Sequence, residues 1–141
     1  MPTFTPVSLE TLPGWARDLL AEARVARLGY VDEDDHPRVL PVTFAVAAGA
    51  VWSAIDEKPK RTAEPTRLRH LRRRPEAALL VDRYDDDWSR LAWVELRGPV
   101  SVEPLGPALD ALVEKYPQYA SERPPGPLLR LAPRRCAYWK A

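Results

Sequence analysis

The chain has 141 residues, of which 45% are hydrophobic and 29% are charged, and its formal net charge is +1. This composition is typical of a globular domain, and the near-zero charge excludes a global attraction to nucleic acid or anionic lipid. A single cysteine, Cys136, excludes an intrachain disulfide, and no apolar run approaches the ~20 residues that a membrane-spanning helix needs.

The first half of the chain predicts one helix followed by a three-stranded meander. The N-terminus lacks the basic segment and apolar run of a signal peptide, so we expect a cytoplasmic protein without a membrane partner. Apolar residues at helical spacing predict a helix over 13–22. Alternation of period two then predicts strands over 23–31, 38–47 and 50–55. Pro41 cannot donate a ladder hydrogen bond, so it belongs at an edge, a bulge or a rim.

A cluster of cations follows the third predicted strand. It contains Lys58, Lys60 and Arg61, and Thr62 adds a hydroxyl donor. Such groups form charge-assisted hydrogen bonds to phosphate oxygens, and Pro59 fixes one φ angle between the two lysines. The pattern favours an anion site at the rim of a small barrel, and the alternative is a solvated basic turn.

The second half of the chain is again mainly strands. The predicted elements are a helix over 64–74, a strand over 77–83, a polar loop over 84–90, a strand over 91–103 that can bend at Gly98-Pro99, a helix over 107–116, a proline-rich connector over 117–127 and a strand over 128–140. We therefore expect residues 1–141 to form one mainly β domain of the α+β class. Six antiparallel strands with short flanking helices would make a closed or nearly closed barrel, because closure removes exposed edges.

Metal and nucleic-acid sites are not expected. The two histidines, His36 and His70, are far apart, and the aspartates at 85–87 lack the spacing of a calcium loop. Five arginines crowd the helix at 64–74, which could indicate a nucleic-acid surface. Acidic residues within 82–87 favour a solvated helix face instead, and a third possibility is that these arginines help to hold a long anionic tail.

Two short motifs carry a resemblance to a known family. They are Trp-Ser-Ala-Ile-Asp-x-Lys-Pro-Lys, starting at Trp52, and Val-Asp-Arg-Tyr-x-x-Asp-Trp, starting at Val81. The matching stretches are 23–46, 51–62, 68–88 and 93–102, and together they span roughly 15–103. The chain thereby resembles the pyridoxamine-phosphate-oxidase-like split β-barrels, which are FMN-binding-like, and within them a branch of F420-dependent enzymes from actinobacteria. The C-terminal third matches only in outline.

The resemblance implies a homodimer with a cofactor groove between the subunits. The cofactor would be the deazaflavin F420, or FMN as in the oxidases. The implied contacts to the phosphate-bearing chain are Lys58, Lys60, Arg61 and Thr62. The implied contacts near the ring are Pro41, Val42, Thr43 and Ser53, with Trp88 reaching the site from the other subunit.

The function implied is hydride transfer between F420 and a small organic acceptor. The alternatives are an FMN-dependent oxidase or reductase of the same fold, a non-catalytic flavin- or deazaflavin-binding protein, and a nucleic-acid binder using the basic helix. The candidate proton donors are Tyr84 and Arg38, with solvent as the alternative. Oxidation of vitamin B6 is not expected, because the C-terminal residues that bind the substrate phosphate in the oxidases have no convincing match here.

Overall fold

The computed structural model describes residues 5–6, 8–55 and 66–141. In these residues the strands are β1 (Thr5–Pro6), β2 (Ala26–Val31), β3 (Pro37–Val42), β4 (Ala45–Ala47), β5 (Ala50–Ala54), β6 (Glu76–Arg83), β7 (Ala92–Glu103), β8 (Leu128–Leu131) and β9 (Arg135–Lys140). The α-helices are α1 (Gly14–Glu22), α2 (Thr66–Arg73), α3 (Ala108–Lys115) and α4 (Gln118–Ser121). The expectation of a mainly β domain with few helices is confirmed.

The strands form one antiparallel sheet in the order β3-β2-β6-β7-β8-β5-β4, and β9 pairs with both β7 and β1. The prediction of six strands is wrong, because the described residues contain nine strand segments. The predicted strand 38–47 divides at Thr43 and Phe44, where the chain passes from one end of this order to the other. Among the described residues β3 and β4 do not pair with each other, so hydrogen bonds do not close the barrel as predicted.

The predicted last strand, 128–140, also divides in two. β8 pairs with residues 100–103 of β7, whereas β9 pairs with residues 92–97 of the same strand. The change of neighbour occurs at Gly98, where an added Cβ would lie 2.9 Å from the carbonyl carbon of Ala132 and 3.1 Å from the Cα of Pro133. The absence of a side chain at Gly98 therefore lets the backbone between β8 and β9 approach β7 closely.

The buried apolar residues form two clusters. The larger cluster fills the inside of the sheet and includes the buried faces of α1 and α2. The smaller cluster joins α3 and α4 to β4 and β5. Residues 117–127, which we expected to be a connector, thus contain the helix α4, whose Tyr119 is buried in the smaller cluster. None of the helices in the described residues is long and apolar enough to span a membrane.

Candidate functional site

The break between β3 and β4 is held by a network of hydroxyl groups. The side-chain oxygens of Thr43 and Tyr119 share a hydrogen bond of 2.8 Å. The Ser53 hydroxyl donates to the Thr43 carbonyl at 2.6 Å, which ties β5 to the same break. The Tyr116 hydroxyl accepts a hydrogen bond from the Phe44 amide at 3.1 Å. Tyr116, which directly follows α3, and Tyr119 of α4 therefore hold the chain at Thr43 and Phe44, between β3 and β4.

A cavity of about 480 Å³ opens beside this network. Thr43, Tyr116 and Tyr119 line its inner side. Its remaining lining residues come from α4 and the segment after it, and they are Gln118, Ser121, Glu122, Arg123, Pro124 and Pro125. A cavity of this size with a few converging polar groups suits a small organic molecule that carries a hydrogen-bonding or anionic group.

The residues expected near the cofactor ring lie together around this break. Pro41 is exposed on β3, which is an end strand of the sheet order, as expected for a proline in a strand. Thr43 is half-buried and faces the cavity, whereas the side chains of Val42 and Ser53 are buried and line a small space inside the sheet. Of this group, Thr43 alone has a side chain on the cavity beside the hydroxyl network. Their role in binding a cofactor stays a prediction.

The predicted contacts to the phosphate-bearing chain, Lys58, Lys60, Arg61 and Thr62, lie outside the described residues. The structure does place the end of the strand that leads to them. Ser53 and Ile55, at and just after the end of β5, are both buried. The segment therefore starts from a fixed point next to Thr43, to which Ser53 is hydrogen-bonded.

The candidate proton donors lie away from the Thr43 cavity. Tyr84 is 77% exposed and contributes to a different cavity on the outer face of the sheet. Arg38 is exposed, and its guanidinium lies 3.7 Å from the carboxylate of Asp32. Neither residue lines the space beside Thr43. Both assignments stay predictions.

Trp88 is 74% exposed at the start of a single 3₁₀ turn, Trp88–Arg90. The Asp87 carboxylate accepts hydrogen bonds from the Ser89 hydroxyl at 2.6 Å and from its amide at 3.1 Å. These bonds, the hydroxyl first, lower the pKa of Asp87 and hold the turn in shape. The local structure thus presents Trp88 to solvent on a well-defined turn.

The outer face of the sheet carries an open cavity of about 460 Å³ near Trp88's loop. Its lining residues are Arg27, Leu80, Asp82, Tyr84, Trp93 and Glu95. Arg27 forms an ion pair with Asp82 at 2.8 Å across the face. Leu80 and Trp139 are exposed large apolar residues on the same sheet, and such surfaces often mark sites of association.

The turn between β2 and β3 brings Asp32, Asp34 and His36 close enough to offer ligand atoms to one ion. One carboxylate oxygen of Asp32, however, accepts the amide hydrogens of Asp34 at 2.9 Å and His36 at 3.0 Å. The bond from His36 is the largest cause of the lowered pKa of Asp32. The carboxylate therefore has a structural role in the turn, and the absence of a metal stays an expectation.

Arg69 of α2 and Arg74, just after its end, pair with acids, although not with the acids within 82–87 that the sequence suggested. Arg69 forms a 2.8 Å ion pair with Glu33, and Arg74 contacts Asp35, both in the turn after β2. The Arg69 hydrogen bond is the main cause of the lowered pKa of Glu33. These contacts favour the interpretation of α2 as a solvated, charge-balanced helix face.

The two tyrosines of the network were not among the predicted site residues. Tyr116 was assigned to a helix end and Tyr119 to a connector. Nothing local indicates that Tyr119 reaches Thr43 and that Tyr116 reaches Phe44, both more than 70 positions earlier. The available signal was the spacing of two tyrosines three residues apart around Pro117. That spacing places two aromatic side chains on one side of a helical turn.

A family model described as pyridoxamine 5'-phosphate oxidase matches residues 12–140. No curated protein gives a significant match. Among solved structures, a conserved hypothetical protein from Mycobacterium tuberculosis is similar, with 19% identity, a TM-score of 0.74, and coverage of 92% of this chain and 86% of that one.

Two further similar structures have ligands in their descriptions. An FAD-binding protein from Mesorhizobium loti is 15% identical, with a TM-score of 0.65 over 100% of this chain and 99% of that one. An FAD- and heme-binding protein from Mycobacterium smegmatis is 22% identical, with a TM-score of 0.68 over 93% of this chain and 72% of that one. At these identities the likeness shows a shared fold.

Proposed function

The chain belongs to the pyridoxamine 5'-phosphate oxidase family, and on this basis we propose that it is an oxidoreductase that uses the deazaflavin F420. It would transfer a hydride between this cofactor and a small organic acceptor. The observation that carries the proposal is the hydroxyl network at the break between β3 and β4, with a cavity of about 480 Å³ beside it. The residues that the family resemblance assigns to the ring lie at this break.

The residues around the break fit a flavin or a deazaflavin. Such rings have hydrogen-bonding groups along one edge and apolar faces, and they need fixed polar groups beside a flat apolar surface. Pro41 is exposed on an end strand, and the Thr43 hydroxyl lies on the cavity. When bound, the reduced cofactor supplies a hydride to an electron-poor C=C, C=N or C=O bond.

The cavity beside Thr43 would hold the acceptor. Arg123 would pair with an anionic or carbonyl group, and the hydroxyl pair of Thr43 and Tyr119 would donate a hydrogen bond to it. Tyr119 is therefore a third candidate proton donor, together with Tyr84 and Arg38. Because Tyr119 is buried and hydrogen-bonded to Thr43, its hydroxyl is held in one position.

The anionic part of the cofactor would be bound by Lys58, Lys60, Arg61 and Thr62, which follow the fixed end of β5. Spectroscopic titration of one preparation with F420 and with FMN tests the choice of cofactor. We expect tight binding of F420, and tight binding of FMN with none of F420 at micromolar concentration would refute the choice. The substitution Lys60→Ala should weaken F420 binding by roughly 1–3 kcal/mol, whereas the exposed Lys140→Ala should leave it unchanged.

A second copy of the chain would complete the groove. Support comes from the outer sheet face, where Leu80 and Tyr84 are exposed on the cavity of about 460 Å³, and from the exposed Trp88 in the loop between β6 and β7. Sedimentation of the wild-type protein should give the mass of a dimer, and Leu80→Arg should shift it to the monomer. A wild-type protein that stays monomeric at micromolar concentration would contradict this part of the proposal.

A non-catalytic cofactor-binding protein is the second candidate. The descriptions of two similar structures as FAD-binding and as FAD- and heme-binding proteins favour it. Bound, reduced F420 that stays reduced with every acceptor of a broad panel would support binding without catalysis. Reoxidation that depends on an acceptor and is slowed by Tyr119→Phe would support the enzyme.

A further inference from the structure

A second cavity, of about 690 Å³, lies between α1, α3 and the hairpin of β4 and β5. Its lining residues are Leu9, Glu10, Arg17, Leu20, Ala21, Arg24, the hairpin residues 45–49, Ala111, Glu114 and Lys115. None of these residues lines the cavity beside Thr43. Its volume lies within the range of ligand sites, which is roughly 300–1,000 Å³.

Two cations meet at the inner side of this cavity. The Lys115 ammonium lies 3.6 Å from the centre of the Phe44 ring and donates a hydrogen bond of 2.9 Å to the Leu20 carbonyl. The Arg24 guanidinium donates to the Lys115 carbonyl at 2.7 Å. Both cations also lie 5.6 Å from the centre of the Tyr116 ring. Lys115 and Arg24 are thus fixed side by side by backbone carbonyls and aromatic rings.

No carboxylate balances these two charges within the described residues. The ion pairs found there do not include Lys115 or Arg24. Glu10 and Glu114 line the same cavity but are exposed and form no ion pair with either cation. A half-buried ammonium next to another cation is unfavourable, because burial and like charge both oppose its charged form. The lowered pKa of Lys115, about 8, has these two causes, burial first and Arg24 second.

We propose that this cavity binds a small organic carboxylate, with its anionic group between Lys115 and Arg24 and its apolar part against Leu20 and Ala111. An anion at this place would relieve the repulsion between the two cations. The wall made by leucine and alanine side chains favours an apolar body over a bare inorganic anion. None of the residues that line this cavity is among those assigned to the cofactor, and the proposal does not depend on the proposed function.

Hexanoate and its neutral counterpart hexanamide are suitable probes, because they share the apolar chain and differ in charge. Calorimetric titration should give a dissociation constant at least tenfold lower for hexanoate than for hexanamide. Lys115→Met should weaken hexanoate binding at least tenfold. The matched control is Lys140→Met, since Lys140 is also close to an aromatic ring, 5.9 Å from that of Trp15, but lies outside the cavity. It should leave hexanoate binding unchanged.

A second measurement uses the wild-type protein and does not depend on the folding of a variant. Acetylation of Lys115 by a water-soluble reagent, followed by peptide mass spectrometry, should slow at least fivefold in saturating hexanoate, with Lys140 unaffected. Any of four results would overturn the proposal. They are equal affinity for hexanoate and hexanamide, an equal loss of hexanoate affinity in both methionine variants, acetylation of Lys115 that hexanoate does not slow, and phosphate binding as tight as that of hexanoate. Failure of F420 to bind would not affect this proposal, because hexanoate binding is measured without F420. F420 binding that is unaltered by Lys115→Met would show that Lys115 does not contribute to the cofactor site.

Discussion

The charge of Lys115 should make the stability of this domain rise with pH in a range where most lysines contribute little. Its ammonium is half-buried beside Arg24, and the pKa of Lys115 is lowered from 10.5 to about 8. Below pH 8 the group is charged in both the native and the unfolded chain, so its destabilising effect is fully present. Between about 8 and 10.5 the unfolded chain holds a proton that the native protein has released, and the free energy of unfolding increases with pH.

The size of the effect follows from the two pKa values. At about 1.36 kcal/mol for each tenfold change in proton affinity, the upper bound is roughly 3 kcal/mol. Because the ammonium is partly in contact with solvent, screening reduces this value, and we expect about 1 kcal/mol. The Lys115→Met variant lacks the titrating group. As the pH rises from about 8 to 10.5, the free energy of unfolding of the wild type should therefore increase by that amount relative to the variant.

The assay is urea denaturation of both proteins at several pH values between 7 and 10.5, in buffers without carboxylate or phosphate. At each pH the free energy of unfolding of the variant is subtracted from that of the wild type. Other lysines and tyrosines titrate alike in the two proteins, so their contributions cancel. Lys140→Met is the control, and its stability difference from wild type should stay constant with pH. Parallel pH profiles for wild type and Lys115→Met would refute the reasoning, because they would mean that Lys115 has the same pKa folded and unfolded.

Three further predictions concern other parts of the fold. Gly98→Ala should lower the free energy of unfolding by about 3 kcal/mol or more, since the new methyl group meets the backbone of Ala132 and Pro133. The control is Gly29→Ala, whose added Cβ would lie 3.8 Å from the Ala78 carbonyl oxygen. In the same urea assay it should lower the free energy of unfolding by under about 1 kcal/mol. Tyr119→Phe should lower the free energy of unfolding by about 1 kcal/mol, because the hydrogen bond to the Thr43 hydroxyl is lost. It should also slow the acceptor-dependent oxidation of F420 and leave F420 binding unchanged. Unaltered turnover would exclude Tyr119 as the proton donor. Asp32→Asn should reduce the loss of stability in acid, because the lowered pKa of this carboxyl makes its stabilising effect disappear as the pH falls; identical acid unfolding curves would contradict this.

The elements predicted best from sequence are those with a clear period and clear ends. The helix α1 and the strands β6 and β7 lie within a residue of their predicted bounds. The sequence did not show where a strand changes its partner. Each of the predicted strands 38–47 and 128–140 has the sequence pattern of one continuous strand. The changes of strand partner at Thr43 and near Gly98 were not predicted, because they depend on strands that are distant in sequence.

The candidate site was predictable only in part, for the same reason. Thr43 and Ser53 follow from the family resemblance, and the structure joins them by a hydrogen bond. The tyrosine that completes the network lies 76 positions after Thr43, so its partner is set by the packing of α3 and α4. The Lys115 cavity likewise depends on three segments that meet: the end of α1 with Leu20 and Arg24, the residue Phe44, and the end of α3 with Lys115. No local pattern brings these segments together.

The strand β7 has a consequence for how the domain opens. It pairs with β6 along one edge, and on the other with β9 before Gly98 and β8 after it. A strand shared in this way makes the two parts of the sheet depend on each other, so they should unfold in one cooperative step. Amide hydrogens of β7 and of its partner residues in β6 should therefore exchange with solvent most slowly, at a rate set by global unfolding, while those of α4 exchange through local fluctuations.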